Sequence, residues 1–213
     1  IGASRRRGTV GGEVLHNVLE SGYEGELYAV NPSAEEVQGV SAYGSIAAVP
    51  GEVELAVIAI PAGEVVKAAR ECAAKGVRGL LVLSAGFRET GKAGARRERQ
   101  LLEVCRDAGM RLVGPNCLGV LNNRPDKRLN ATFSPTPPRA GEVGFVTQSG
   151  ALGLALMEFA GEPGLGMSSF ASVGNRADIT ANDLLEYWES DGATRVALLD
   201  MEAFSDPRRF SRV

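Results

Sequence analysis

The residues with the clearest chemical potential stand at the start of the chain. Gly2-Ala3-Ser4-Arg5-Arg6-Arg7-Gly8-Thr9-Val10-Gly11-Gly12 is a glycine-rich loop that feeds into an apolar, helix-period stretch. Glycine lets the backbone approach a ligand closely, and the free N–H groups at a helix start favour negative charge. Three consecutive arginines add cationic donors, so the loop is suited to phosphate groups. It is not a P-loop, which needs Gly-Lys-Ser/Thr where this loop has no lysine. Nor is it a dinucleotide fingerprint, because Ser4 stands at the second glycine position and the next strand ends in Asn31-Pro32 instead of an acidic residue. A second candidate anion site is Gln148-Ser149-Gly150, placed just before an apolar helix. The single histidine, His16, lies inside the first helix and reads as a packing or surface residue.

These loops need strands and helices to hold them. Glu26–Val30, Val53–Ile60, Gly79–Leu83 and Arg111–Val113 are Val-, Ile- and Leu-rich runs of the kind that fill parallel sheets buried on both faces. Between them Val10–Ser21, Gly63–Ala74 and Gly91–Ala108 show one charged and one apolar face, the mark of helices covering a sheet. A stretch with Pro125, Pro135, Pro137 and Pro138 interrupts the pattern. Alternation then resumes with strands at Glu142–Thr147, Ser168–Val173 and Arg195–Met201 and helices at Ala151–Glu162 and Thr180–Glu189. The expected architecture is α/β and doubly wound: one unit over 1–124, a Pro-rich linker over 125–139, and a second, partial parallel unit over 140–213. The first strand is expected to be largely missing before Ile1 and the last domain to be cut short at Val213. Three strands alone make a marginal sheet.

Composition narrows the classes. The chain has 213 residues, 23 Lys+Arg against 26 Asp+Glu, and a net charge of −3, which argues against a dedicated nucleic-acid binder. No run approaches the roughly 18 apolar residues of a membrane span. Cys72, Cys105 and Cys117 are odd in number and in no zinc or CxxC spacing, so no metal site is expected and a reducing, cytoplasmic setting is.

Taken in order, six motifs converge: Gly2-Ala3-Ser4, Val30-Asn31-Pro32, Leu83-Ser84-Ala85-Gly86-Phe87, Gly114-Pro115-Asn116-Cys117-Leu118-Gly119, Asn130-Ala131-Thr132-Phe133 and Thr147-Gln148-Ser149-Gly150-Ala151-Leu152-Gly153. The chain thereby resembles the NDP-forming acyl-CoA synthetases, relatives of the succinyl-CoA synthetase α chain, along nearly its whole length. The resemblance implies a Rossmann-like CoA-binding domain over 1–124 followed by a partial flavodoxin-like, succinyl-CoA-ligase-like domain over 140–213, with coenzyme A as ligand. Gly2, Ala3, Ser4 and Arg5 would face its phosphates, Asn31 and Pro32 its adenine-ribose end, Ser84, Ala85 and Gly86 its pantetheine arm, and Asn116 the region of its thiol. It also implies that Gln148, Ser149 and Gly150 hold a phosphoryl group, and that Glu202 orients a phosphohistidine lying outside this chain. Nucleotide and Mg would enter only through an ATP-grasp domain or subunit, in a homo- or hetero-oligomer without nucleic acid or membrane. Two other readings stay open from the residues: a CoA-sensing module of a fused acetyltransferase, and a dinucleotide-binding oxidoreductase domain.

Overall fold

The computed structural model describes residues 1–159, 166–204 and 206–212. The chain enters along Ile1–Gly2, turns through the arginine loop and forms helix α1, Val10–Glu20. Thr9 caps α1, its hydroxyl accepting from the Gly12 N–H at 3.2 Å. Strand β1 is Ala29–Val30, and a hairpin of β2, Glu36–Val37, and β3, Val40–Tyr43, follows. Its two-residue turn is Gln38-Gly39, with φ of 53° and 83°, the left-handed pair that matches the strand twist. Next come β4, Leu55–Ile58; α2, Ala62–Lys75; β5, Gly79–Val82; α3, Lys92–Asp107; and β6, Arg111–Val113. Gly76, at φ 84°, closes α2 in the left-handed conformation that helix ends favour.

β4, β5 and β6 form one parallel set, and β1, β3 and β2 a second, mixed one in which β1 runs parallel and β2 antiparallel to β3. Ile1–Gly2 joins them: Ala59 donates to the Ile1 carbonyl at 2.9 Å, and Gly2 donates to Val30 at 3.0 Å. Beside this short join a cleft of about 500 Å³, lined by Val14, Val18, Leu27, Val57 and Ala131, runs between β1 and β4. The core of this half packs Ile58, Leu80, Val82 and Leu112 against Val65, Phe87 and Leu101, all fully buried.

The remaining strands are β7, Gly119–Asn122; β8, Leu129–Thr132; β9, Ala140–Thr147; β10, Met167–Ser172; and β11, Val196–Asp200. They build one five-stranded sheet in the order β11-β9-β10-β7-β8. β9 pairs with β10 and β11 in parallel, while β7 pairs with β10 and β8 antiparallel. Here the structure corrects the sequence reading. The stretch 125–139, expected to be a linker, contains a paired strand, and the sheet expected to have three strands gains two from residues 119–132. The physical reason is edge pairing: β10 has an open side, and β7 covers it. The helices are α4, Gly150–Phe159; α5, Ala181–Ser190; and a short α6, Pro207–Phe210. The expected end of α4, residues 160–162, lies outside the described residues.

In this second half Phe145 and Phe170 meet at a ring-centroid separation of 5.4 Å. Trp188 of α5 covers Gly144, where any side chain would collide with the indole, and donates to Ser169 Oγ at 2.7 Å. The two halves are stitched directly. Asn17 of α1 donates to the carbonyls of Thr132 and Ser134, both at 2.8 Å. Beyond β10 the chain lies along β6, with Ala177 donating to Gly114 at 3.1 Å and Ile179 to Leu112 at 3.1 Å.

Candidate functional site

The predicted ligand loops all stand at the carboxyl ends of the parallel strands, where open α/β sheets bind their ligands. The arginine loop is fixed by glycine contacts. Gly2 has φ 88°, and a side chain there would collide with the Ala59 carbonyl; one on Gly11 would collide with the Gly2 carbonyl. The backbone is therefore free to lie close to the start of α1. The N–H groups of Ala3, Ser4 and Arg5 meet no acceptor among the described residues, whereas the Arg6 N–H is taken by Ser4 Oγ at 3.1 Å. This run of free donors before a helix start fits an anionic group.

The three arginines differ. Arg7 is held by Glu13 through two bonds of 3.0 and 2.8 Å, and Glu13 also accepts the Gly8 N–H at 2.5 Å. The Arg7 guanidinium, with help from that N–H, holds the Glu13 carboxyl down at about 2. Arg5 leans over the Glu36 carbonyl at 3.0 Å and stays exposed. Arg7 thus shapes the loop, while Arg5 donates through Nε to the Glu36 carbonyl and keeps the rest of its exposed guanidinium open to a ligand.

Asn31 and Pro32 come to the same place. Asn31 donates to the Ala3 carbonyl at 2.8 Å, and its Oδ1 accepts the Ser33 N–H at 2.8 Å. Gln38, from the β2–β3 turn, donates to the carbonyls of Ser4 and Gly12, both at 2.9 Å. Sequence reasoning missed Gln38; its signal was the Gln-Gly pair between two short alternating runs.

Ser84, Ala85 and Gly86 line the next strand end. The Ser84 hydroxyl donates to the Ile60 carbonyl at 2.6 Å, and Ser84's own carbonyl accepts the Asn116 N–H at 3.0 Å. Gly86, at φ 104°, has no room for a side chain against Ala62. Asn116, at φ 58°, is exposed beside it. So Asn31 is tied to Ala3 in the first loop, and Asn116 to Ser84 at the next strand end.

Gln148, Ser149 and Gly150 sit apart, at the start of α4. Thr147 bonds the Asp200 carboxylate at 2.6 Å and accepts the Ser149 N–H at 3.0 Å, which sets the loop against the end of β11. Gln148 Oε1 accepts the Glu202 backbone N–H at 3.0 Å. The Glu202 side chain is exposed just past β11, joined to Gln148 through its backbone and not its carboxylate. Among the described residues no group of three or more His, Cys, Asp or Glu side chains is arranged to hold a metal ion. No described helix is long and apolar enough to cross a membrane.

Residues 1–123 match the CoA binding domain family, and residues 140–213 match the succinyl-CoA ligase like flavodoxin domain. The chain is 44% identical over 213 residues to an ADP-forming acetate–CoA ligase I of Archaeoglobus fulgidus, covering all of this chain and 30% of that protein. It is 42% identical to the alpha subunit of ADP-forming acetate–CoA ligase I from Pyrococcus furiosus, covering 46% of that subunit. Among solved structures, the acetyl-coenzyme A synthetase 1 of Ca. Korarchaeum cryptofilum, in complex with phosphate and ADP, superposes with a TM-score of 0.93 at 37% identity. That match covers 98% of this chain and 45% of the synthetase. The chain thus spans less than half the length of these relatives. With both domain types present in one continuous match, the chain belongs to the NDP-forming acyl-CoA synthetase family and is its CoA-binding portion.

Proposed function

We propose that the rim Gly2–Arg5, Asn31–Pro32, Ser84–Gly86 and Asn116 holds coenzyme A for an acid–CoA ligase. The complete reaction would convert acyl-CoA, NDP and phosphate to free acid, CoA and NTP, through a phosphohistidine outside this chain. The observation that carries this reading is the meeting of four loops, far apart in sequence, along one line of strand ends. One end of that line offers free N–H donors and Arg5 for phosphates. The rest offers Ser84–Gly86 and Asn116 at the next strand ends, where an extended arm would run.

In this scheme Gln148–Gly150, at the start of α4, would receive the phosphoryl group, with Glu202 close by to orient the histidine. Nucleotide and Mg belong to an ATP-grasp part, in keeping with the length of the relatives. The three cysteines are buried and free, which suits a cytoplasmic protein. A nicotinamide dinucleotide is the weaker fit, because the Asn31 side chain is already committed to Ala3 and Ser33 and β1 ends in Asn31-Pro32 in place of the acidic residue that would hold a ribose.

Calorimetric titration with CoA, dephospho-CoA and NADH tests the site. The expected result is CoA binding at micromolar Kd, weakened about tenfold or more on removal of the 3′-phosphate, the equivalent of one charge-assisted contact. NADH binding in place of CoA would sink the assignment.

A further inference from the structure

One turn joins the two parts of the site. Gly174-Asn175-Arg176 follows β10, with Gly174 at φ 49° and Arg176 at φ 50°. A side chain at Gly174 would overlap the carbonyls of Pro115 and Asn116, so the turn is pressed against the loop that carries Asn116. Its backbone is tied there as well, Asn175 donating to Pro115 at 2.9 Å.

Asn175 is buried, and its side chain is committed to the CoA side. Nδ2 donates to Glu89 and to Glu98, both at 2.7 Å, and Oδ1 accepts from Asn116 at 3.3 Å. Two carboxylate acceptors fix which end of the amide carries the nitrogen. The second Glu89 oxygen accepts the Gly86 N–H at 2.5 Å and the Phe87 N–H at 2.9 Å. Arg88 reaches back to the Asn175 carbonyl and pairs with Glu98 at 3.5 Å. The position of Asn175 is therefore passed to Gly86 through one carboxylate.

Arg176 faces the other way. It donates to Gln148 Oε1 at 3.1 Å and to the Ala203 carbonyl. That same Gln148 oxygen accepts the Glu202 N–H, and Gln148 Nε2 donates to Ala203 at 3.0 Å. Two adjacent residues thus hold the loop Ser84–Gly86 and the loop Gln148–Gly150 through separate hydrogen-bond chains.

We infer that Asn175 and Arg176 are positioning residues that set the CoA loop and the phosphate loop in register, so that order imposed on one is felt at the other. This rests on the proposed function for the identity of the ligands, but the mechanical link does not. Coupling of this kind needs a physical element that both sites bias, and the turn supplies it.

Backbone hydrogen exchange of the 213-residue chain, read by mass spectrometry, tests the link in two arms. In the ligand-free arm, Arg176→Ala should speed exchange at Gly86 and Phe87, which Arg176 does not touch. In the liganded arm, saturating CoA should slow exchange at Gln148–Gly150 and Glu202 by about fivefold or more, the lower end of ordinary site-to-site coupling. That slowing should vanish in Arg176→Ala and return in part in Arg176→Lys. Asn175→Ala strips the donor from two carboxylates and risks misfolding, so the half-buried Arg176 carries the test. Exchange changes confined to the loop that Arg176 touches, or slowing by CoA that survives Arg176→Ala, would overturn the inference. A chain that binds no CoA at all would instead overturn the ligand assignment, and the ligand-free arm would still decide the link.

Discussion

Glu13 shows how one carboxylate shapes the anion-binding loop. It takes the Arg7 guanidinium in two bonds and the Gly8 N–H in a third, so Arg7 braces the loop while Arg5 stays available. Because the Glu13 carboxyl is held at about 2 instead of its usual 4.5, the folded protein favours the ionised form. That contribution is fully present above pH 4.5 and is lost as pH falls toward 2. Arg7 is 54% exposed, so solvent screening keeps the effect small. Glu13→Gln should therefore lower stability at pH 7 slightly and flatten the part of the acid-unfolding profile between pH 4.5 and 2, as followed by circular dichroism. An unchanged acid profile would count against the brace. At this scale the sequence shows glycines, arginines and motif residues by type and spacing. It marks the strand-end loop Asn175–Asp178 but does not show what Asn175 bonds, because its partners Glu89 and Glu98 lie 86 and 77 residues away. It does not separate Arg5 from Arg7 either, since only the fold decides which arginine Glu13 captures.

Among the elements, the buried parallel strands and their helices are legible because their apolar runs and helix-period faces are strong local signals. β5, β6 and β10 fall within a residue or two of their expected limits, and Thr180 with Asp183 forms the capping box that starts α5. β7 and β8 are not legible. Each has four residues; β7 pairs with β10, nearly fifty residues later, along the open side of β10, and β8 then pairs with β7 at the sheet's edge. The seam between the halves rests on Asn17, 7% exposed on α1, whose amide serves both the Thr132 and Ser134 carbonyls past the end of β8. Asn17→Ala would leave those two acceptors without a donor in a buried seam, at a cost of about 1–3 kcal/mol. A leucine of similar size should do no better, because volume is not what is lost. Denaturant midpoints of both variants check this, and equal stability of Asn17→Leu and wild type would refute the polar role of the seam.

For the molecule as a whole, the question is what keeps the two sheets in one arrangement, since the proposed ligand rim belongs to the first and the proposed phosphate loop to the second. A charged network crosses between them: Arg111 of β6 meets Asp178 at 2.9 Å and Asp183 at 3.3 Å, and Arg209 of α6 meets Asp183 at 3.3 Å and Glu186 at 2.5 Å. Its members are not equal. Arg111 is 58% exposed, so its ion pairs are screened by water and worth about 0–1 kcal/mol. Asp178 also accepts the backbone N–H of Leu112 at 2.9 Å, next to a fully buried leucine in the first core. Removing that acceptor strands a backbone donor inside the junction, which costs about 1–3 kcal/mol. Asp178→Ala should therefore destabilise the protein more than Arg111→Ala. Salt separates the two effects, because an ion pair weakens as ionic strength rises while a stranded N–H does not recover. Calorimetric scans at low and high salt should show the Arg111→Ala deficit shrinking and most of the Asp178→Ala deficit remaining. The opposite ranking would mean that charge, and not backbone pairing, holds the second sheet against the first. The junction would then loosen with rising salt, and with it the register of the two loops on which the proposed function depends.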